Sequence, residues 1–213
     1  MIIPKLHYIS QGNSPKEHLD NIQKACTSGI ELVRLGLKDV AEKKILKVAH
    51  QAREITAHFQ TRLLINNHYK IAYEVKADGV HLGKTGTGPT TARKQLYSWQ
   101  MIGGTANTLQ DCEVLLAEEV DYISLGPFRS TVDTDNLSTV LGLNGYTAII
   151  DVLNTKTPIL GVGGITIEDV TAIVGTGISG LVVSGEITRN FDNIKIFHQL
   201  LNASSTNEIL HKF

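Results

Sequence analysis

The sequence predicts an α/β chain closed as a single-domain (β/α)8 barrel, the TIM-barrel architecture. Three observations carry this reading. Short runs rich in β-branched residues alternate with longer stretches of helical period along the 213 residues, and the alternation never breaks into a linker. Runs such as LLIN, ISLG and GLVV are almost continuously apolar, as parallel strands covered on both faces are. The last two runs, Ile159–Val162 and Leu181–Val183, each stop at small residues, Gly163-Gly164 and Ser184-Gly185, before a helix opens. Such turns leave backbone N–H groups uncovered, and the loops after strands seven and eight of a barrel build a phosphate cup.

Taken in order, the strands fall near Lys5–Ile9, Glu31–Leu35, Arg62–Ile65, Gly79–Leu82, Gln100–Gly103, Asp121–Leu125, Ile159–Val162 and Leu181–Val183. Helices fill the intervals at about Pro15–Ser28, Val40–Ala57, His68–Val75, Thr90–Leu96, Thr108–Glu118, Gly142–Leu153, Ile167–Val174 and Ile187–Leu201. The second helix shows the pattern: Val40, Ile45, Leu46, Ala49 and Ala52 share one side, while Glu42, Lys43, Lys44 and Arg53 are left for solvent. A doubly wound sheet has fewer strands and longer connections, so this many units in this length favours the barrel. One long irregular connection, Gly126 to about Leu141, follows the sixth strand and reads as a functional lid. The barrel spans residues 1–203, and 204–213, SSTNEILHKF, reads as a frayed tail.

Composition narrows the function. With 42% hydrophobic residues and a net charge of −1, the chain has the makings of one soluble domain with an ample core. Lys and Arg are scattered and aromatic residues are only 6%, which argues against a nucleic-acid partner. The opening MIIPKLHYISQG is too briefly apolar for a signal peptide, and no stretch is long enough to cross a bilayer, so a cytoplasmic setting without a membrane partner is expected. Cys26 and Cys112, far apart in helical patterns, read as buried free thiols.

Polar residues at the C-terminal ends of barrel strands face the mouth where chemistry occurs. Strand two offers Arg34 and then Lys38, strand three Asn66 and Asn67, strand four His81 and Lys84, and strand five Thr105 and Asn107. Cations beside a glycine cup suit phosphate oxygens, and paired amides suit a heterocycle. His81 lies within its strand and reads as a core histidine rather than a general base. Lys84 fits either the mouth or solvent. The ends of strands three, four and five carry no carboxylate, leaving Asp133 and Asp135 of the long loop as the acidic candidates.

These residues resemble the thiamine phosphate synthase and thiazole tautomerase family over nearly the whole chain. The landmarks are ELVRLGLKD, LLINNHYKIA, KADGVHLGK, MIGGTANT, VDYISLGPF, TPILGVGGI and GISGLVVSGEI, in family order and spacing, with the long loop ending in GL. The resemblance implies a (β/α)8 barrel that transfers an aminopyrimidine methyl group from its diphosphate to a thiazole phosphate. The diphosphate leaves, a pyrimidine carbocation forms, and Mg2+ accompanies the pyrophosphate. It also implies a homodimer and small phosphate esters as partners. The thiazole-phosphate cup maps to Gly163, Gly164, Val183 and Ser184, and the strand-two lysine to Lys38. Asn66 matches the family asparagine, Thr105 replaces a usual serine, and Thr131 matches the first threonine of the long loop.

Other positions depart from the family pattern. Arg34 and Gly36 stand where the family has glutamine and arginine, and Asn67 and Gly86 replace two metal-binding aspartates. Asp133 replaces the second loop threonine, and Thr134 a lysine that bridges the pyrophosphate. Pro127 stands where the tautomerase branch has histidine, so GPF places the chain on the synthase side. Arg34 is long enough to reach the neighbouring position and so to offset Gly36. Two readings stay open: a synthase using Arg34 and Lys38 catalytically with Asn66, Asn67, Thr105 and Thr131 around the substrates, or a non-catalytic or repurposed relative that keeps only the thiazole-phosphate cup. A third, a different phosphosugar-type barrel enzyme, needs a new acid–base pair that only His81 or Asp133 could begin to supply.

Overall fold

The computed structural model describes residues 2–130 and 139–210, with side chains through residue 203. Eight strands close into one barrel in chain order: β1 (Leu6–Ile9), β2 (Leu32–Leu35), β3 (Arg62–Asn66), β4 (Gly79–Leu82), β5 (Met101–Ala106), β6 (Tyr122–Leu125), β7 (Ile159–Val162) and β8 (Gly180–Val183). Every neighbouring pair is parallel, and β8 returns to β1 through Leu6↔Leu181 and Tyr8↔Val183. The helices are α1 (Pro15–Thr27), α2 (Glu42–His58), α3 (Tyr69–Glu74), α4 (Pro89–Arg93), α5 (Leu109–Ala117), α6 (Gly142–Val152), α7 (Val170–Val174), α8 (Gly185–Arg189) and α9 (Asn193–Leu210). The (β/α)8 barrel expected from the sequence is the observed fold.

Strand alternation divides the apolar residues into two cores. Leu32, Leu64, Met101, Tyr122, Leu160 and Val182 pack together as one buried cluster inside the ring. Val33, Leu63, Ile65, Val80, Ile102, Ile123 and Leu181, on the opposite strand faces, join helix residues such as Ile22, Ile45, Ala49, Cys112 and Phe197 in a larger one. Cys26 and Cys112 are both buried free thiols.

The lower rim is fastened by a device that the sequence pattern hides. Asp78, just before β4, accepts from the Leu63 N–H of β3 at 2.8 Å and from Arg53 Nη1 of α2 at 2.6 Å. One strand pair further on, Asp121 accepts from the Ile102 N–H at 2.7 Å and from Arg93 Nη2 at 2.7 Å. On the other side, the Tyr146 hydroxyl of α6 donates to Leu125 O at 3.0 Å and accepts from the Val162 N–H at 3.1 Å, joining β6 to β7.

Several boundaries differ from expectation. Strand β5 runs on to Ala106, because Thr105 and Ala106 still pair with Ser124 and Leu125 of β6. The single helix expected at Ile187–Leu201 is two, separated where Asn190 becomes extended and its side-chain oxygen accepts from the Asp192 N–H at 3.1 Å; this turn chemistry is invisible to hydrophobic period. A 3-10 turn, Ile167–Asp169, precedes α7. Past residue 203, where the sequence suggests a frayed tail, the backbone of α9 stays helical through Leu210. A helix anchored by buried Ile194, Phe197 and Leu201 extends at one hydrogen bond per added residue, even through polar sequence.

Replacing Tyr146 by Phe leaves the ring packing but strands the Val162 N–H without its acceptor. Urea denaturation of Tyr146→Phe is expected to show a loss of about 1–3 kcal/mol with an unchanged denaturant slope.

Candidate active site

The cup is built by adjacency. Val162 of β7 pairs with Val182 of β8, so the turns that follow lie side by side at the strand spacing of about 4.8 Å. Gly163 and Gly164 take φ values of +102° and +65°, which turn the chain sharply off the strand. A Cβ at Gly163 would meet Pro127 Cα at 2.8 Å. The carbonyls of the turn are taken up by the segment after β6: Phe128 N–H donates to Val162 O at 2.8 Å, Arg129 N–H to Gly163 O at 3.0 Å and Arg129 Nη1 to Gly164 O at 2.6 Å. Arg129 is in turn held by Asp169 through Nη1 at 3.0 Å and Nη2 at 2.9 Å. No described residue accepts from the backbone N–H groups of Gly163, Gly164, Ser184 or Gly185. Ser184 Oγ donates to Ile9 O at 2.8 Å, so its contribution to the cup is its N–H, not its hydroxyl. The Val183 side chain is buried in the strand–helix core and offers a ligand only backbone.

Beneath the mouth lies a polar floor. Arg34 is 3% exposed and reaches across the barrel to donate from Nη1 to Ser124 Oγ at 3.1 Å, while its Nε points to Asn66 Oδ1 at 3.4 Å. His81 shares hydrogen bonds with the Tyr122 hydroxyl at 3.0 Å and Thr105 Oγ1 at 2.9 Å, so it is the core histidine that its in-strand position suggests. His7 packs edge-on to Tyr122 with ring centroids 5.0 Å apart, and neither of its ring nitrogens has a partner among the described residues. Burial holds both histidines well below the usual imidazole value, and the positive charge of Arg34 adds to the effect. The Tyr122 hydroxyl is pushed up to about 12, chiefly by burial.

The β4–β5 side is organised differently. Asn67 adopts φ +63° and accepts from the Gly83 N–H at 2.8 Å, turning its carboxamide oxygen toward the β4 loop. Lys84 pairs with Asp111 at 2.9 Å, and Asp111 also caps the start of α5 through the Asn107 and Thr108 N–H groups. Gly83, Lys84, Gly86, Thr105 and Asp111 line a cavity of about 360 Å3. Lys38 lies exposed beyond β2. Thr131, Asp133, Thr134 and Asp135 fall outside the described residues.

The sequence model of a family described as thiamine monophosphate synthase matches residues 6–187. The chain belongs to the thiamine monophosphate synthase family. It is 39% identical to the thiamine-phosphate synthase of Flavobacterium psychrophilum, over 92% of this chain and 97% of that one. Identity to the thiamine-phosphate synthase of Bacteroides fragilis is 34%, over 92% of this chain and 98% of the relative. A thiamine phosphate pyrophosphorylase from Pyrococcus furiosus superposes with a TM-score of 0.79 at 21% identity, covering 92% of this chain and 96% of that one, and corroborates the fold. The chain is thus thiamine phosphate synthase-like, in a family whose reaction condenses hydroxymethylpyrimidine diphosphate with thiazole phosphate.

Members of the thiamine monophosphate synthase family use Mg2+, and the described residues do not fit it; Asp133 and Asp135, the remaining acidic candidates, lie outside them. Magnesium asks for near-octahedral oxygen donors anchored by carboxylates. At the two anchor positions stand a neutral amide whose oxygen already accepts from Gly83, and Gly86, which has no side chain. Among the described residues no three His, Cys, Asp or Glu side chains converge to hold a metal ion. Two contributors to the site escape a reading of strand ends. Ser124 lies mid-strand, two residues before Gly126 on the inward face, and strand period alone could have found it. Arg129 sits in the loop, and nothing in its spacing announces Asp169 as its partner.

His7 and His81 titrate lower in the folded than in the unfolded chain, whose histidines titrate near about 6.5. Their contribution is present above that value and is lost as pH falls below it, because only the unfolded state then takes up the protons. The urea midpoint is expected to drop between pH 7 and pH 5. His7→Leu, which removes two unpartnered buried nitrogens, is expected to denature at an equal or higher midpoint at pH 7 and with a shallower pH slope.

Proposed function

We propose that the chain binds thiazole phosphate through the backbone cup after β7 and β8 and joins it to an aminopyrimidine, the thiamine phosphate synthase reaction, as a cytoplasmic homodimer. The observation that carries this reading is the pair of adjacent turns whose N–H groups find no acceptor among the described residues. Peptide donors on two adjacent turns suit a phosphate monoester and would fix the thiazole relative to the barrel axis. Arg34 and Lys38 supply positive charge toward the diphosphate, and Asn66, Asn67 and Thr105 line the ring side; Thr131, assigned to the same substrate, lies outside the described residues. In the reaction the methylene C–O bond of the pyrimidine diphosphate breaks, the electron pair leaves with the pyrophosphate, and the thiazole nitrogen closes on the carbon. The protein's part is electrostatic: it holds the ester and meets the departing charge.

A second reading, a relative that keeps the cup without the condensation, draws on the residues that stand at the family's diphosphate and metal positions. Gly36 stands where the family has an arginine; a Cβ there would lie 3.0 Å from Ile9 Cγ2 and 3.3 Å from Asn66 Nδ2, a tight fit relieved by small shifts of those side-chain ends. Together with Asn67 and Gly86, this weakens the pocket for the diphosphate and leaves the cup untouched.

Calorimetry with thiazole phosphate, and separately with the pyrimidine diphosphate, divides the readings when combined with an assay for thiamine phosphate. Both ligands binding with product formed is the outcome expected of the synthase; thiazole phosphate binding alone establishes the second reading, and no binding of it overturns both. Gly163→Ala is expected to weaken thiazole phosphate by about tenfold or more, because its Cβ pushes against Pro127 and strains the turn. The double variant Arg34→Gln, Gly36→Arg is expected to raise affinity for the pyrimidine diphosphate by about tenfold, and to lose about 1–3 kcal/mol of stability in urea as Ile9 and Asn66 are displaced. Sedimentation velocity checks the dimer.

A further inference from the structure

Three neighbouring strands place His81, Gly103 and Tyr122 side by side. His81 of β4 pairs with Gly103 of β5, and Gly103 pairs with Tyr122 of β6. A Cβ at Gly103 would fall on the Tyr122 ring, so the missing side chain is the room in which that ring crosses β5 to reach His81. The two rings lie nearly parallel, with centroids 5.7 Å apart and planes at 26°. From there a chain of hydrogen bonds runs to the mouth: Tyr122 Oη to His81 Nδ1 at 3.0 Å, and His81 Nε2 to Thr105 Oγ1 at 2.9 Å. Tyr122 and His81 are buried, whereas Thr105 is half-buried and lines the cavity of about 360 Å3 beside Gly83, Lys84 and Gly86.

Which imidazole nitrogen carries the proton follows from pairing every buried donor. With the hydrogen on Nδ1, the Tyr122 hydroxyl would accept it, and its own buried O–H would have no acceptor among the described residues. With Nδ1 as acceptor, Tyr122 donates to it, Nε2–H donates to Thr105, and no buried hydrogen is left over. The second arrangement therefore prevails by about tenfold or more. An imidazolium would strand the phenol in the same way. Burial first, then the charges of Arg34 and His7, hold His81 well below its usual value, and the Tyr122 hydroxyl, pushed up to about 12, stays protonated.

We propose that Tyr122 and His81 are positioning residues: the phenol fixes the Nε2–H tautomer of His81, and His81 thereby turns the Thr105 hydroxyl into a donor facing the mouth, where it selects a lone-pair acceptor on the ligand. Having accepted from His81, Thr105 keeps one hydrogen to give, and no described residue takes it. An aromatic ring nitrogen, with its lone pair in the ring plane, is such an acceptor. The inference rests on the reading above in one respect, that an aminopyrimidine lies on the Thr105 side, and it assigns that contact to a ring nitrogen. No proton is transferred along the chain.

The first test needs no ligand. In the full chain labelled with 15N-histidine, the long-range 1H–15N spectrum is expected to show His81 as the Nε2–H tautomer, and Tyr122→Phe is expected to populate the Nδ1–H form. The second test is calorimetry with the pyrimidine diphosphate and with analogues in which one or the other ring nitrogen is replaced by CH. Wild type is expected to bind one analogue about tenfold more weakly than the parent. In Tyr122→Phe and His81→Leu that preference is expected to fall to about threefold or less, with thiazole phosphate bound as before. His81→Gln, whose amide keeps an N–H near the Nε2 position, is expected to retain it. A purely structural role would weaken both substrates alike and would not be rescued by glutamine. Should Tyr122→Phe not fold, the wild-type spectrum and the contrast between His81→Gln and His81→Leu carry the test. An Nδ1–H tautomer in wild type, no ring-nitrogen preference in wild type, or the same preference in Tyr122→Phe and His81→Leu overturns the proposal. Failure of the pyrimidine diphosphate to bind, with the Nε2–H tautomer present in wild type and lost in Tyr122→Phe, sinks the synthase reading and upholds the positioning pair.

Discussion

Closure of the ring is the constraint from which the other features follow. Once Leu6 of β1 pairs with Leu181 of β8, no strand has a free edge and half of all strand side chains are enclosed. An inward position then has two available fates. It fills the core, as Leu32, Leu64, Met101, Leu160 and Val182 do, or it belongs to the polar layer that opens at the mouth, as Arg34, His81 and Ser124 do. Tyr122 belongs to both, with its ring in the lower cluster and its hydroxyl on His81. The same closure sets β7 beside β8 and thereby brings the two small-residue turns together. It also lets Ser184 Oγ reach Ile9 O, so the last turn is fastened to the first strand.

The departures from the family pattern converge when placed on this frame. Gly36, Asn67 and Gly86 all lie at or near the ends of β2, β3 and β4, on one side of the mouth. The cup lies after β7 and β8. Charge has therefore been removed from one side of the site and added one step lower, at Arg34. Two residues along a strand correspond to about 6.6 Å, so the two placements of an arginine are not equivalent for a ligand of fixed length. Arg34 does not simply take the place of a residue at 36: its guanidinium is engaged by Ser124 across the barrel. Each unit charge at about 4 Å and an effective dielectric near about 20 is worth about 4 kcal/mol, so moving a cation outweighs a change in any neutral hydrogen bond nearby.

The architecture and the cup were legible in the sequence because both are repetitive. Short apolar runs alternate with stretches of period 3.6 at every unit, and the small-residue stop occurs twice, at Gly163-Gly164 and Ser184-Gly185. What stayed hidden depends on pairs far apart in sequence. Asp78 and Asp121 look like ordinary surface carboxylates until Leu63 and Ile102 are seen to donate to them. The break between α8 and α9 rests on one Asn side chain, which the apolar period runs straight across. Lys84 could be read toward either solvent or the mouth, and only its distance to Asp111 shows the salt bridge. Arg34 was visible as a candidate, whereas its lack of a described carboxylate partner is a property of the closed interior.

The two provisions for anions differ in kind, and this bears on how such a site changes. The cup is made of peptide groups whose directions are set by strand pairing and by Arg129, which donates to the turn carbonyls and is braced by Asp169. Substituting a side chain inside the mouth leaves those N–H groups where they are. The floor is made of side chains, each one substitution from another chemistry, with its charge balance set by few groups. A barrel of this construction can therefore keep the recognition of a phosphate ester while the opposite half of its mouth is rewritten. The hydrogen bonds of the cup and the charge of Arg34 involve no common residue, so the energetic coupling between them reduces to electrostatics through the mouth, which charged ligands themselves would screen.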